Sequence, residues 1–331
     1  MIDEKLIEQM QYDFLELYSK DGKIRSALNK TYNGTSDYKD VDTYAMHVGA
    51  IREKVILKYV PDISPEDYAE LGDKIVYQGI KENYDYVCSV AAETQLSLNK
   101  KANLGLNSVT PKFNQDKADG IVTLVKEAVD YKEVTQAINQ NIETYSKGVV
   151  SDFIHANADF QYNSGLSPVI HRIVAPGCCD WCSALGGTYE YKDVKNTGND
   201  IYRFHANCKC QIVYDPRDGG RRINTKTQKE YSPEIPQATT TVKQQPKTTT
   251  KTKKTTAEKS YTSSNKDINK MTHAQLVNEV IRVAPDYFPK VSAEEARNRA
   301  IALLRNGGNN SDASLRKFIK DVRKGKQHIH N

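Results

Sequence analysis

The sequence predicts an α+β chain: a mainly helical body, a small β-rich cysteine/histidine zinc-binding knob, a disordered linker and a small helical tail. Three observations carry this prediction. Apolar residues recur at helical spacing through the first 160 positions. β-branched segments and five of the six cysteines then crowd into residues 165–224, and a Thr/Lys/Gln tract separates them from a further helical stretch. The boundaries fall at 1–164 for the body, 165–224 for the knob, 225–270 for the linker and 271–331 for the tail.

In the body, Ile2, Leu6, Met10, Phe14 and Leu17 form the stripe of an amphipathic helix. A second stripe, Val48, Ile51, Val55 and Tyr59, stops at Val60-Pro61, where proline cannot continue the ladder. Ser64-Pro65-Glu66-Asp67 reads as a new helix start, with a capping serine, a first-turn proline and acids at the positive dipole end. That helix is expected to run to about Leu98. Asn103–Gln115 reads as a loop, and helical patterns resume around Asp116–Ala128 and Gln140–Ala158.

The knob carries three short strands: Pro168–Val174, Thr188–Tyr191, and Gln211–Tyr214 before the turn Asp215-Pro216. Its apolar content is too low for an independent core, so a metal crosslink would compensate. The linker has almost no apolar residues, and burial could not offset its chain entropy. As a flexible coil it would reach about 35–40 Å. In the tail, Leu276, Val277, Val280 and Ile281 suit one helix. Ser292-Ala293-Glu294-Glu295 is a capping box opening a second, with Ala296, Ala300, Leu303 and Leu304 on one face and Gly307-Gly308 ending it. Leu315, Phe318, Ile319 and Val322 suggest a third.

Of the 331 residues, 38% are hydrophobic and 27% charged, and the net charge of +5 is unevenly spread. Residues 1–224 hold 26 basic against 32 acidic side chains, residues 225–270 hold 10 against 4, and residues 271–331 hold 11 against 6. Contact with nonspecific double-stranded DNA would therefore come from the basic tail rather than from the body. No apolar run approaches the roughly 18 residues that span a bilayer, and the acidic start is unlike a secretory signal. A soluble chain in a reducing cytoplasm, with no membrane partner, is expected. There, clustered cysteines favour metal over disulfides.

The chemistry concentrates in Cys179-Asp180-Trp181-Cys182 and, after 22 residues, His205-Ala206-Asn207-Cys208-Lys209-Cys210. The two-residue spacing turns both sulfurs toward one ion, and thiolates with imidazole suit tetrahedral, structural zinc. Cys179, Cys182, His205 and Cys208 come first as ligands, with Cys210 the best substitute and Cys178 a sixth candidate. A redox CxxC lacks its strand–CxxC–helix setting. Trp181 is expected to pack over the knuckle, and His155 and His171 read as structural. Gly186-Gly187 reads as a tight turn, and Lys251, Lys253 and Lys254 as solvating charges. Two alternatives remain beside a structural role. One is a zinc-dependent nuclease or other hydrolase, using His205 or His171 at an open zinc with Glu190 and Asp193 as nearby acids. The other is a nonspecific DNA-binding module in the tail.

Residues 178–189 (CCDWCSALGGTY), 202–210 (YRFHANCKC) and 214–220 (YDPRDGG) resemble the minor head proteins of tailed bacteriophages, which are related to the head-morphogenesis domain named after phage Mu. Upstream, residues 44–49 (YAMHVG), 98–106 (LNKKANLGL) and 150–161 (VSDFIHANADFQ) fall in the matching order. The resemblance covers roughly residues 1–230 and omits the linker and tail. Phe204 stands where that pattern has an arginine. The resemblance implies a noncatalytic virion component present in few copies, encoded beside the portal protein. It also implies a role in head morphogenesis and in DNA packaging or delivery, with the portal protein and the major capsid or scaffolding protein as partners. The expected location is the virion head, reached through the host cytoplasm during assembly.

Overall fold

Asp3 opens α1 (Glu4–Lys20) by accepting from the Leu6 amide, and the helix turns Met10, Phe14 and Tyr18 inward. Asp21 closes that helix and caps the next, α2 (Gly22–Tyr32), accepting from the Lys23 and Ile24 amides. A reciprocal box of Asp37 and Asp40 starts α3 (Tyr38–Tyr59), and Pro61 tightens its end into a 3-10 turn, Val60–Asp62. The start signal at Ser64 acts differently from expectation. Ser64 Oγ donates to Asp67 Oδ2 at 3.1 Å instead of accepting from a backbone amide. The chain then passes through the 3-10 turn Pro65–Asp67, the single turn α4 (Tyr68–Glu70) and a π-helical stretch, Leu71–Val76, into α5 (Tyr77–Lys101). The computed structural model describes residues 2–196, 200–217, 267–306 and 311–325. The linker expected over 225–270 lies almost entirely outside them, as do Asp218-Gly219-Gly220 and Gly307-Gly308.

After the predicted loop come α6 (Gln115–Lys126), α7 (Tyr131–Ile138) and α8 (Asn141–Asn163). Helix α8 lies against α3 so closely that a Cβ on Gly49 would sit 2.5 Å from Glu143 Cα. Only glycine permits that approach. Gln140, at φ +66°, supplies no side-chain cap to α8. Glu53 of α3 supplies one instead, accepting from the Glu143 amide at 2.9 Å, and burial pushes its carboxyl up to about 7. The surrounding core is aromatic and amide-rich. Phe14, Tyr18, Tyr44 and Tyr86 stack in contact. Gln161 donates to Asn99 at 2.8 Å, and Gln95 donates to Asn99 at 2.7 Å. Buried Arg52 lies 3.7 Å over the Phe14 ring and donates to Glu82 at 2.8 Å.

The three predicted strands pair as one antiparallel sheet. β1 (Val169–Ile173) lies between β2 (Gly187–Glu190) and β3 (Gln211–Asp215), with Ile170 opposite Tyr189 on one side and Tyr214 on the other. The short helices α9 (Asp180–Ala184) and α10 (Tyr191–Val194) flank β2. One set of sheet side chains, Ile170, Ile212 and Tyr214, joins the helical core. Tyr214 meets Tyr38 edge-on at 6.2 Å, and its hydroxyl donates to Gln161. The fold is thus mostly helical, with a small three-stranded sheet and a cysteine cluster, an α+β chain.

The tail forms α11 (His273–Tyr287), α12 (Ala293–Asn306) and α13 (Asp312–Arg323). Thr272 and Gln275 box the start of α11, and Ser292 Oγ accepts from the Glu295 amide ahead of α12. Leu276, Val277, Val280 and Ile281 are buried, whereas Leu303 is exposed. These helices meet the body: Tyr18 donates to Asn278, and Arg282 lies 4.3 Å over the Tyr32 ring.

Candidate metal centre

The cysteine cluster sits at the end of the sheet, on loops whose turns bring the donors together. Cys178 N donates to Ala175 O at 3.1 Å across Pro176-Gly177, and Gly177 adopts φ +72°. This is the sequence chemistry of a type II turn. Cys179 then takes the N-cap position of α9, so Cys182 falls one turn further on the same side. On the second loop, Cys208 N donates to His205 O at 3.1 Å around Asn207, which adopts φ +61°. Asparagine tolerates that left-handed conformation better than most residues. The turn sets His205 toward Cys179 and Cys182, and Cys208 toward Cys182 and Cys210, so His205 and Cys208 meet Cys182 from different sides and fall in no common donor group.

Two triplets result, Cys179–Cys182–His205 and Cys182–Cys208–Cys210, each with donor atoms within 4.8 Å of one another and both sharing Cys182. His205 Nε2 lies 3.4 Å from Cys179 Sγ and 3.2 Å from Cys182 Sγ, while Cys182 Sγ and Cys208 Sγ are 3.6 Å apart. Metal–sulfur bonds of about 2.3 Å and metal–nitrogen bonds of about 2.0 Å place tetrahedral donors about 3.5–3.8 Å apart. The observed spacings fall close to that range. His205 Nδ1 pairs with Ala206 O at 2.7 Å, which makes Nδ1 the protonated nitrogen and leaves Nε2 its lone pair. These groups could hold a metal ion.

Cys182, Cys208 and Cys210 are buried, Cys178 packs beside them, and Cys179 and His205 reach the surface. Burial and the neighbouring Cys208 and Cys210 thiols push Cys182 up to about 12. At Cys210 burial opposes ionisation but is outweighed by the Ala175 amide, 3.5 Å from its sulfur, and by the adjacent thiols and Arg172. The sixth cysteine, Cys88, is buried on α5 and belongs to the helical core.

Trp181 lies edge-on to His205 at 5.9 Å, over the knuckle as expected, though it remains 39% exposed. His155 Nε2 pairs with Lys195 O at 2.8 Å, and His171 Nδ1 pairs with Thr188 Oγ1 at 2.9 Å. Neither histidine joins the cysteine groups, and among the described residues those groups contain no carboxylate. Glu190 pairs with Arg217, and Asp193 is exposed on α10.

Two buried cations at the site escaped the sequence reading. Lys147 of α8 donates to Cys208 O at 2.9 Å and faces Asp42 at 3.5 Å, both side chains being almost fully enclosed. Asp42 also accepts from Gln211 at 3.1 Å, so α3, α8, β3 and the cysteine loop meet there. Burial raises the Asp42 carboxyl despite Lys147. Arg172 of β1 points its Nη2 at Cys182 and Cys208. Phe204 lies between the two cations, its ring 4.7 Å from Lys147 Nζ and 4.8 Å from the Arg172 guanidinium carbon. An arginine at 204 would place a third cation beside Lys147 and Arg172, where this chain has an uncharged ring. Only the i, i+4 position of Lys147 opposite Ser151, on an otherwise buried face of α8, hinted at its burial.

Residues 91–235 match the family model described as VG15 protein, a viral or phage gene family, and the match runs from α5 through the sheet and both cysteine loops. It supports a phage protein. No curated protein and no solved structure matches the chain. Among the described residues, no helix is long and apolar enough to cross a membrane.

Proposed function

We propose that this chain is a minor structural component of a tailed-phage head, acting in head morphogenesis beside the portal and shell, with one structural zinc in the cysteine loops. The carrying observation is that the phage-family match includes both loops whose turns gather Cys179, Cys182, His205, Cys208 and Cys210. Zinc would be held by Cys179, Cys182, His205 and Cys208, with Cys210 able to substitute and Cys178 adjacent. A donor set of thiolates and one imidazole favours a closed structural site over hydrolysis, because catalytic zinc keeps a water position and a nearby base. The ion's contribution is to crosslink two loops that have little apolar surface of their own. Quantitative mass spectrometry of procapsids and mature heads should find the protein at a small fraction of the major shell protein. Its absence from both particles would overturn the assignment and favour an enzyme that handles phage DNA.

A second reading, nonspecific contact with double-stranded DNA, is favoured by one face of α13. Arg316, Lys317, Lys320 and Lys324 line an open groove of about 480 Å³ there, with Asp321 also in the lining and Asp312 paired to Arg316 at 3.0 Å. Each phosphate neutralised steepens log affinity against log salt by about 0.9. Replacing Lys317, Lys320 and Lys324 with alanine in the full chain should flatten the slope by roughly 3 on that rule. Gel shifts at several salt concentrations check this, and an unchanged slope would remove α13 from the interface.

A further inference from the structure

Arg172 is 2% exposed, yet among the described residues no carboxylate forms an ion pair with it. Its Nη1 donates to the backbone oxygens of Ile201 at 2.8 Å and Arg203 at 2.9 Å. Its Nη2 lies 3.8 Å from Cys182 Sγ and 4.0 Å from Cys208 Sγ, while Nε has no hydrogen-bond partner among the described residues. The rings of Phe204 and Trp181, 4.8 and 6.0 Å from the guanidinium carbon, enclose the rest. The nearest buried acid is Asp42, which feels Arg172 but faces Lys147 directly, with half-exposed Glu143 also acting on Lys147. Around the cysteine loops, two fully buried cations therefore stand against one fully buried carboxylate. A buried guanidinium needs a counter-charge, since arginine cannot shed its proton.

We infer that Arg172 is the counter-ion of the metal centre, a positioning residue that neutralises a ligand set of net charge −1. This rests on the zinc proposal above. A divalent ion with three thiolates and one neutral imidazole carries −1, which a single guanidinium balances; four thiolates would carry −2 and leave one charge uncompensated. The charge count thus selects three cysteines and His205, with Cys182 and Cys208, the two sulfurs Arg172 faces, both within the set. The two carbonyl bonds fix the guanidinium plane while Nη2 is left for sulfur. Partners of this kind orient ligands and typically contribute 10- to 100-fold to metal affinity.

The experiment is a zinc competition titration against a chelating indicator, on the full-length protein and its Arg172→Lys and Arg172→Met variants. Cobalt(II) spectra of each report the thiolate charge-transfer and ligand-field bands. Arg172→Met should bind zinc 10- to 100-fold more weakly. Arg172→Lys keeps the charge while losing the planar carbonyl contacts, so it should stay within about threefold of the parent, below that range. A purely structural role predicts equal damage from both, and that pattern would overturn the inference. So would unchanged affinity in Arg172→Met. Should the methionine variant not fold, the lysine variant decides alone, because a tenfold loss there contradicts a role carried by charge. A parent protein that binds no zinc removes the site itself, whereas a zinc-binding parent with an indifferent Arg172→Met removes only Arg172 from it.

Discussion

The α3–α8 seam is densely buried, whereas the cysteine loops are largely exposed apart from Cys182, Cys208 and Cys210, and the two regions are held by different means. At the seam, Gly49 lets two long helices meet backbone to backbone at Glu143, beside Ser146, and Val48, Val149 and Phe153 of the two helices are buried. Burial of that much apolar surface is stabilising at about 25 cal/mol per Å², and it needs nothing from outside the chain. The loops offer Cys182, Cys208 and Cys210 as a separate small cluster, with Ala175, Cys178 and Phe204 packed on it. So few side chains cannot offset the entropy of fixing two loops. What distinguishes the loops is polar: three buried sulfurs, an imidazole and two buried cations. The helical seam should therefore respond to pH and packing, and the loops to metal.

The largest expected effect separates the two regions directly. Structural zinc in small peptides contributes roughly 10–16 kcal/mol of apparent binding energy, which appears as folding energy. Here the sheet also anchors through Ile170, Ile212 and Tyr214 to the helical core, so the whole knob should not unravel when the ion leaves. Cys182→Ser, which removes the residue common to both triplets, should abolish most of about one zinc per chain. A chelator should give the same state. Hydrogen exchange should then accelerate across residues 175–185 and 203–210, while it rises only modestly in β1 and β3 and α3 and α8 remain protected. Equal loss of protection in loops and helices would show that the two regions are one cooperative unit.

Much of this contrast is legible in the amino-acid order, and the part that is not has a common cause. Met10 and Phe14 of the first stripe are buried in α1, and all three β-branched segments pair as strands. Periodicity reports which face is apolar, and these elements are decided by an apolar face. The CxxC and HxxCxC spacings brought the donors into two triplets joined at Cys182, because each spacing needs only one turn of chain, although His205 and Cys208 fall in different triplets. Helices α2 and α7 were missed since they are short, with only Ile24 and Ala27 buried on the first and three small or β-branched residues on the second. Lys147, Asp42, Arg172 and Glu53 were invisible for another reason. A charged residue is ordinarily a surface signal. Its burial depends on partners distant in sequence, such as Lys147 with Asp42 and Asp42 with Gln211, and no local window contains both members.

The smallest expected effect tests the helical seam with a variable that should spare the loops. Glu53 is mostly enclosed, its carboxyl is raised from 4.5 to about 7 by burial, and it accepts the Glu143 amide at the start of α8. A carboxyl with a raised folded-state value favours the protonated form in the native protein. Its contribution is fully present below pH 4.5 and is lost as pH rises through 7, so this group makes the fold weaker, not stronger, across that window. The shift corresponds to at most about 3 kcal/mol, and partial exposure reduces that to about 2. Glu53→Gln keeps an acceptor for the amide and cannot ionise. The stability of the variant relative to the parent should therefore climb by about 2 kcal/mol between pH 5 and pH 8. Urea midpoints of both proteins at the two pH values measure the climb, and taking the difference cancels the other titrating groups, Asp42, Asp85 and Asp152 among them, which burial also raises. Zinc content should be the same in parent and variant at each pH. A difference in stability that stays flat from pH 5 to pH 8 would mean that water reaches Glu53 and that the α8 amides, rather than the charge, govern the seam.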